Sequence, residues 1–515
     1  MEGLKERLLA EIPGFKEAGE KFLNGELSKM DFKKLSGGFG VYAHRDKKNF
    51  MIRLRILSGV LSKEQLGIVN DMVKRHGIDH IHLTTRQAIQ FHGISMDTVC
   101  EVMKEGIEKN IYTRGAGGNY PRNVAMSPLS GLEEEAFDVV PYAMAANAYF
   151  LQRITTYKLP RKLKVSYSNN EKDGSHITVQ DLGFLAVNQD GEKYFRVYLG
   201  GGLGRDPRTS VSLDKLIKAE DTLYVLEAMV QFFIAHGDYE NHSKARVRYI
   251  LERMGEEEFK KTFMSFLEEA YKIEGLKLNV EAPVYTKQGE KIEDGYDGVI
   301  PQKQEGLYSY YFHPIGGQLK TDIIDKILEL INPMEDVHIR LSMSEGLYIV
   351  NLTGSEAKQV YEALNAYNAK NRLECSSSCI GVPICQMGLL NSQATLNNIV
   401  EKFHKEGYSK DVLPSIHISG CQNSCGVHQI GRIGFMGRMK RVDGKMCNVF
   451  ELFLDGVCKI GETKLGKSYG DIPEEAVPEF LFELAKQVEV SGLNYKEFIH
   501  KQAEEVEALV EKYRV

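Results

Sequence analysis

No apolar run in this 515-residue chain reaches the length needed to span a bilayer, which argues against a transmembrane protein. Strong charge of either sign is also missing: a formal net charge of -6 offers no general attraction to nucleic acid and leaves room only for local basic pockets. The first residues lack a secretion signal, and a transit peptide would avoid acids such as Glu6 and Glu11, so the expected compartment is the cytoplasm. Thiols are scarce, eight in all, which excludes a disulfide-dense scaffold. There is no recognisable nucleotide loop. Gly200-Gly-Gly-Leu-Gly204 fails the dinucleotide pattern because its sixth position is Arg205, and it lacks a Walker lysine. With no flavin or nicotinamide module and no appended ferredoxin-type cysteine series, electrons for any redox chemistry have to come from outside the chain. What remains is an ordinary globular composition, 43% hydrophobic and 26% charged, long enough for three or four domain-sized units.

Five of the eight cysteines fall between Cys375 and Cys425. Cys379 and Cys385 form one clip, and Cys421 and Cys425 form another, flanked by Gly420 and Gly426. Two such clips supply the four thiolates of an iron-sulfur cubane, with glycines letting the backbone turn closely around it. Structural zinc is the alternative, although its clips are usually tighter and often include histidine. Cys375 lies outside the pattern, and Cys100, Cys447 and Cys458 are isolated and expected to be buried as small hydrophobes.

An internal repeat organises the rest. Residues 50–93 predict a strand, a helix opened by a Ser62/Gln65 capping box and closed at Gly77, and a hairpin turning at Arg86-Gln87. The same order returns 258 residues later, with Gly59-Val-Leu matching Gly317-Gln-Leu and Ile81-His-Leu-Thr matching Ile339-Arg-Leu-Ser. Leu159-Pro160 pairs with Leu413-Pro414, Gly183-Phe184 with Gly434-Phe435, and the strand from Phe195 with that from Phe450. Two half-molecules, each a small βαβ-type unit followed by a larger α+β unit, imply a pseudo-twofold body with a site between the halves. The copies differ in polar content: Arg53, Arg86 and Lys162 have Tyr311, Ser344 and Ile416 as expected counterparts. Cations sit in the first half and cysteines in the second. Before the repeat, Leu4, Leu8, Leu9 and Ile12 predict a short amphipathic helix in an N-terminal arm. Residues 208–275 and 470–515 read as helical, with Arg246 and Arg248 equally readable as cofactor contacts or surface charges.

Arg53 and Arg55 share a strand face, as do Lys162 and Lys164, and Arg122 lies in a turn-like segment. Taken singly, each pair reads most simply as a solvated strand face. Together with the two cysteine motifs, the segments Phe-Met-Ile-Arg53, Thr-Thr-Arg86-Gln-Ala-Ile-Gln-Phe-His-Gly, Pro-Arg122-Asn and Leu-Pro-Arg-Lys162-Leu-Lys164 resemble, in order, those of the sirohaem-dependent sulfite and nitrite reductases.

That resemblance implies an α+β fold, internally duplicated, with two ferredoxin-like half-modules (46–112 and 304–368) alternating with two larger sirohaem/4Fe-4S modules (113–280 and 369–515) after an arm over 1–45. It implies that Cys379, Cys385, Cys421 and Cys425 hold a 4Fe-4S cluster, with Cys425 also giving the axial sulfur to sirohaem iron. Arg53, Arg122, Lys162 and Lys164 would face the substrate, while Arg55, Thr85, Arg86, Gln90, His92, Asn123, Arg161, Gly201 and Gly202 would contact the cofactor. The implied reaction is reduction of sulfite to sulfide, with nitrite to ammonia as the runner-up; Lys164 favours sulfite because plant-type nitrite reductases tend to carry asparagine there. The implied partners are a small oxyanion and an external donor such as ferredoxin or a flavoprotein, with neither nucleic acid nor membrane involved. A zinc-stabilised protein that keeps the fold without catalysis is the reading from another class.

Overall fold

The computed structural model describes residues 3–281 and 283–515, whose strands assemble into four sheets. The first small unit has strands Val41–Ala43, Phe50–Arg55, His80–Leu83 and Ala88–Ile94, with helices Lys63–Arg75 and Met96–Glu108. The second has strands Val299–Pro301, Leu307–Phe312, His338–Leu341 and Leu347–Thr353, with helices Thr321–Ile331 and Gly354–Leu364. The capping box forms as the spacing predicts: Ser62 Oγ accepts from Gln65 N and Gln65 Oε1 from Ser62 N. Leu66, Val69, Met72 and Val73 form the helix's buried face.

The two small units exchange strands. Val60–Leu61 pairs antiparallel with His338–Leu341 of the second unit, and Gln318–Lys320 pairs with His80–Leu83 of the first. Leu61 stands opposite Ile339 and Leu319 opposite Ile81, so the 258-residue shift that converts Leu61 to Leu319 also converts Ile81 to Ile339. This register is that of a pseudo-twofold axis running between the units. One core serves both, joining Val69, Met72 and Ile81 to Ile324, Ile327 and Ile339. At about 1.5–3 kcal/mol for each buried aliphatic side chain, that shared core locks the halves together.

The larger units repeat as well. Strands Val165–Ser168 and Leu182–Gln189 run parallel, as do Ile416–Ser419 and Ile433–Val442, and the registers Ser166 to Gly183 and His417 to Gly434 share one offset of 251 residues. Gly183 and Gly434 are dictated by crossing segments: a Cβ would lie 2.5 Å from the Ile177 carbonyl oxygen in one and 2.0 Å from that of His428 in the other. The fold is thus α+β, duplicated, with ferredoxin-like half-domains alternating with larger modules.

Several expectations are corrected. Strand Val41–Ala43 pairs with Phe50–Arg55, so the first sheet begins inside the expected arm, and the second begins at Val299 rather than 304. The arm carries helices Leu4–Leu23 and Lys29–Ser36, held by Phe22 stacked on Phe32 at 4.5 Å. Residues 211–218 form two short strands before the helices. Ile416 is the counterpart of Val165, not of Lys162, because the strands align at 251. If the two Leu-Pro pairs are equivalent, the first half carries three additional residues between Pro160 and Val165, in the segment that holds Arg161, Lys162 and Lys164.

The symmetry also fixes the charge of one buried acid. Gln87 and Glu345 are equivalent turn residues with φ of 51° and 68°. Gln87 Oε1 accepts from Met126 N at 3.0 Å, and Glu345 Oε2 accepts from Ser378 N at 2.8 Å. Gln87 also donates to carbonyls, which Glu345 matches only when protonated. Burial accordingly holds the Glu345 carboxyl well above its usual range. The native state therefore keeps a proton that the unfolded chain releases above about pH 4.5, so stability falls as pH rises toward the folded-state pKa. Glu345→Gln is expected to flatten that slope and add on the order of 1–3 kcal/mol at neutral pH. Apo-protein denaturation at pH 5 and pH 8 checks this, and an unchanged slope would contradict it.

Candidate active site

The cysteines occupy two loops stitched together by backbone bonds. Strand Ser377–Ser378 delivers Cys379 beside strand Ile416–Ser419, where its N–H donates to Ile418 O at 3.1 Å. Cys385 N donates to Gly381 O at 2.7 Å, and Leu389 and Leu390 both donate to Gly420 O, tying the first clip to the second. Gly420 N donates to Cys379 Sγ at 3.2 Å and Asn423 Nδ2 to Cys421 Sγ at 3.4 Å. Gly420 and Gly426 are needed for contact with protein backbone, since a Cβ would lie 2.6 Å from Leu390 O and 2.1 Å from Ile418 O.

Burial pushes the thiols of Cys379 and Cys385 up, and Cys421 to about 11, with Cys425 the next contributor in each case. The four sulfurs are electrostatic neighbours. Four thiolates on two tied loops match the ligand number of a cubane and equally that of an all-cysteine zinc site.

The loop after Val165–Ser168 matches the second clip in length and backbone: Asp173 and Ser424 have φ of 54° and 53°, and His176 and Val427 have 56° and 52°. The first copy has Asn170 and Gly174 where the second has Cys421 and Cys425. A common scaffold thus carries thiols on one side only.

The cations come from the first half. Arg53 donates to Ala116 O at 2.9 Å. With its amide oriented to suit its neighbours, Gln90 accepts from Arg53 at 2.6 and 2.8 Å and donates to His92 Nε2 at 3.1 Å. Arg86 reaches across the first large sheet to Asn123 O, Val165 O and Gln180 Oε1. Arg122 is held by the carbonyls of Gly115, Gly117, Gly118 and Tyr120. Arg161 contacts Asn119 Oδ1 at 3.4 Å. Arg55, expected against the cofactor, instead braces the 114–122 segment, donating to the carbonyls of Arg114, Pro121 and Arg122. Asn123 does similar work with its amide on Ile56 O and Gln87 O.

Lys162 and Lys164 are half-buried, and neither ammonium has a hydrogen-bond or ion-pair partner among the described residues. Burial, then Lys164, Arg246 and Arg122, hold Lys162 well below the usual lysine range. Burial, Arg86 and Arg246 lower Lys164 to about 7. Burial also drops Arg86 and Arg122 to about 9. Such a wall resists desolvation unless anions fill it.

The halves meet where these groups face the thiols. Thr85 Oγ1 donates to Cys425 O at 2.8 Å, and Gly204 exchanges two hydrogen bonds with the Gln429 side chain. A Cβ on Gly202 would lie 2.9 Å from Arg248 Nη1, and one on Gly201 2.8 Å from Gln180 O. Polar atoms here lack partners: His92 Nδ1, His176 Nδ1, Arg248 Nη1 and Ser424 Oγ. Unpaired cations and orphaned donors beside a four-thiol loop fit a cofactor rich in carboxylates.

Arg246 and Arg248 are buried, which removes the surface-charge reading. Arg246 makes a two-bonded pair with Asp181, at 2.7 and 3.0 Å. The sequence reading missed Asp181, whose only signal is a lone acid at the start of an apolar strand.

Residues 117–270 match the "nitrite and sulphite reductase 4Fe-4S domain" and residues 42–108 and 300–367 the "nitrite/sulfite reductase ferredoxin-like half domain". The chain belongs to this reductase family. Ferredoxin–nitrite reductase of Spinacia oleracea is 27% identical over 456 residues, covering 84% of this chain and 74% of that protein. Its counterpart in Synechococcus elongatus is also 27% identical, covering 84% and 85%. The sulfite reductase [NADPH] hemoprotein beta-component of Geobacillus thermodenitrificans is 26% identical, covering 83% and 79%. The structure of Mycobacterium tuberculosis NirA superposes with a TM-score of 0.77 over 93% of this chain and 91% of that one; at 21% identity it bears on the fold alone. As a member of the nitrite/sulfite reductase family the protein is an oxidoreductase using sirohaem and a 4Fe-4S cluster. Among the described residues, no helix is long and apolar enough to cross a membrane.

Proposed function

We propose that the chain reduces sulfite to sulfide, with six electrons, and that Cys379, Cys385, Cys421 and Cys425 hold the cluster. The observation that carries the substrate reading is the unpartnered Lys162/Lys164 pair, which places two ammonium groups where a dianion needs them. When bound, the sirohaem–cluster pair supplies single electrons to the anion's central atom. The chain does the rest. Arg53, Arg122 and Arg161 hold oxygen atoms electrostatically. Lys162 and Lys164, with lowered pKa values, hold protons they can release as each oxygen leaves as water. Arg86, Gln90, His92 and Arg248, with Thr85, Gly201 and Gly202, would line the cofactor.

Nitrite reduction to ammonia is the second reading, favoured by the relatives named ferredoxin–nitrite reductase. Lys164→Asn, which removes one ammonium, is expected to shift the kcat/KM ratio toward nitrite by roughly tenfold, the scale of one lost charge contact. An unchanged ratio would remove the case for sulfite. The donor is read as an acidic one-electron carrier such as ferredoxin. Arg45 donates to Cys385 O at 3.3 Å and Gly388 O at 2.5 Å, and Lys33 Nζ lies 3.0 Å from Met387 Sδ, so cations border the exposed edge of the cluster loop.

A further inference from the structure

The cationic wall contains one buried acid, and its placement gives it a task. Asp181 is fully buried, and its Oδ2 accepts from the backbone N–H of Lys164 at 2.8 Å and from Arg246 Nη2 at 2.7 Å, while Oδ1 accepts from Arg246 Nε at 3.0 Å. From the other side, Leu182 N donates to Lys164 O at 3.2 Å, so both backbone groups of Lys164 are held by consecutive residues, Asp181 and Leu182, where the strand Leu182–Gln189 begins. Gly200 N donates to Asp181 O at 2.9 Å, which joins the same point to the glycine-rich turn beside the cysteine loop.

The second half lacks this arrangement. At the 251-residue offset, Lys164 becomes Ser415 and Asp181 becomes Arg432. Arg432 turns to Asp455 at 3.0 Å. Backbone registers around both positions are the same in the two halves, so the fold does not need an acid here. A carboxylate with a buried guanidinium partner is costly to desolvate and contributes little net stability. Its presence only where the lysines stand calls for a local reason.

We propose that Asp181, paired through two hydrogen bonds with Arg246, is a positioning residue that clamps the Lys164 backbone and so sets where its ammonium meets the oxyanion. Lys164 sits in the segment that carries three more residues than its counterpart, between Pro160 and the strand, where no sheet pairing would otherwise fix its N–H. The groups facing Lys164 include Lys162, Arg86 from the hairpin turn, Arg246, Cys425 from the other half, and Asp181. Of these, Asp181 anchors its main chain, through the Lys164 N–H. The proposal rests on the reading of Lys164 as a substrate-side cation.

The test combines amide hydrogen exchange of the apo chain with turnover of the loaded enzyme. Asp181→Ala/Arg246→Leu removes the clamp without stranding a guanidinium. Exchange at the Lys164 amide is expected to speed up about tenfold or more, and kcat/KM for sulfite to fall about 10- to 100-fold, divided between kcat and KM as in Lys164→Met. Placed on Lys164→Met, the same pair should cost no more than about threefold further. Additive losses would overturn the clamp while leaving the role of Lys164 intact. An inert Lys164→Met would instead overturn the substrate-side reading. Asp181→Asn keeps an acceptor and decides the case if the double variant does not fold. Protection retained with turnover within about threefold of wild type, or both lost together, supports the clamp. Either one lost without the other contradicts it.

Discussion

Cys425→Ser is expected to abolish turnover and to disturb the absorption of cluster and haem in the same preparation. The loss should exceed the roughly 10–100-fold that altering an outer partner of a metal site costs, because the proposed role makes Cys425 a ligand itself. The structural basis is position. Cys425 is exposed, unlike the other members of its two clips, and its carbonyl accepts from Thr85 of the cation-bearing half. It is thus the thiol at the seam between the halves, where one sulfur can serve both cofactors. Cys375→Ser is the control. That thiol, pushed up to about 12 by burial with Glu374 and Asp411 nearby, lies outside the two clips and its replacement should leave both spectra unchanged. A Cys425→Ser protein with an altered cluster signal and an unaltered haem spectrum would refute the shared ligand.

Lys162→Met is expected to lower kcat for sulfite by about 10²–10⁴-fold, the range contributed by a positioned general acid, while cofactor content stays constant. Methionine keeps much of the side chain's length and removes its proton and charge. Burial, then Lys164, Arg246 and Arg122, hold Lys162 well below the usual lysine range, which favours transfer of its proton to a bound oxyanion. Steady-state rates with a viologen donor check the prediction. A loss confined to KM would assign Lys162 to anion binding alone.

Much of this was legible in the sequence because duplication and motif spacing are local signals. The 258-residue offset gave the two small units, and the glycines at 183 and 434 marked equivalent strands. The capping box at Ser62 followed from two residues three apart. Strand exchange was not legible, since Val60–Leu61 and Gln318–Lys320 are too short to announce a partner in the other half. The counterpart of Lys162 was misplaced because a three-residue difference in loop length sits between the Leu-Pro pair and the strand. Arg55 shares a strand face with Arg53, but alternation says which side a residue faces and nothing of the carbonyls that wait there. Asp181 escaped because a buried acid is recognised by its partners, and Arg246 is 65 residues away in sequence.

Anaerobic turnover of the fully loaded protein with reduced viologen, measuring kcat/KM for sulfite and for nitrite under one set of conditions, tests the central claim most directly. The account predicts sulfide as product and a clear preference for sulfite. Preference for nitrite, with ammonia as product, would contradict the two-lysine argument, and inactivity toward both anions would contradict the assignment of the site itself.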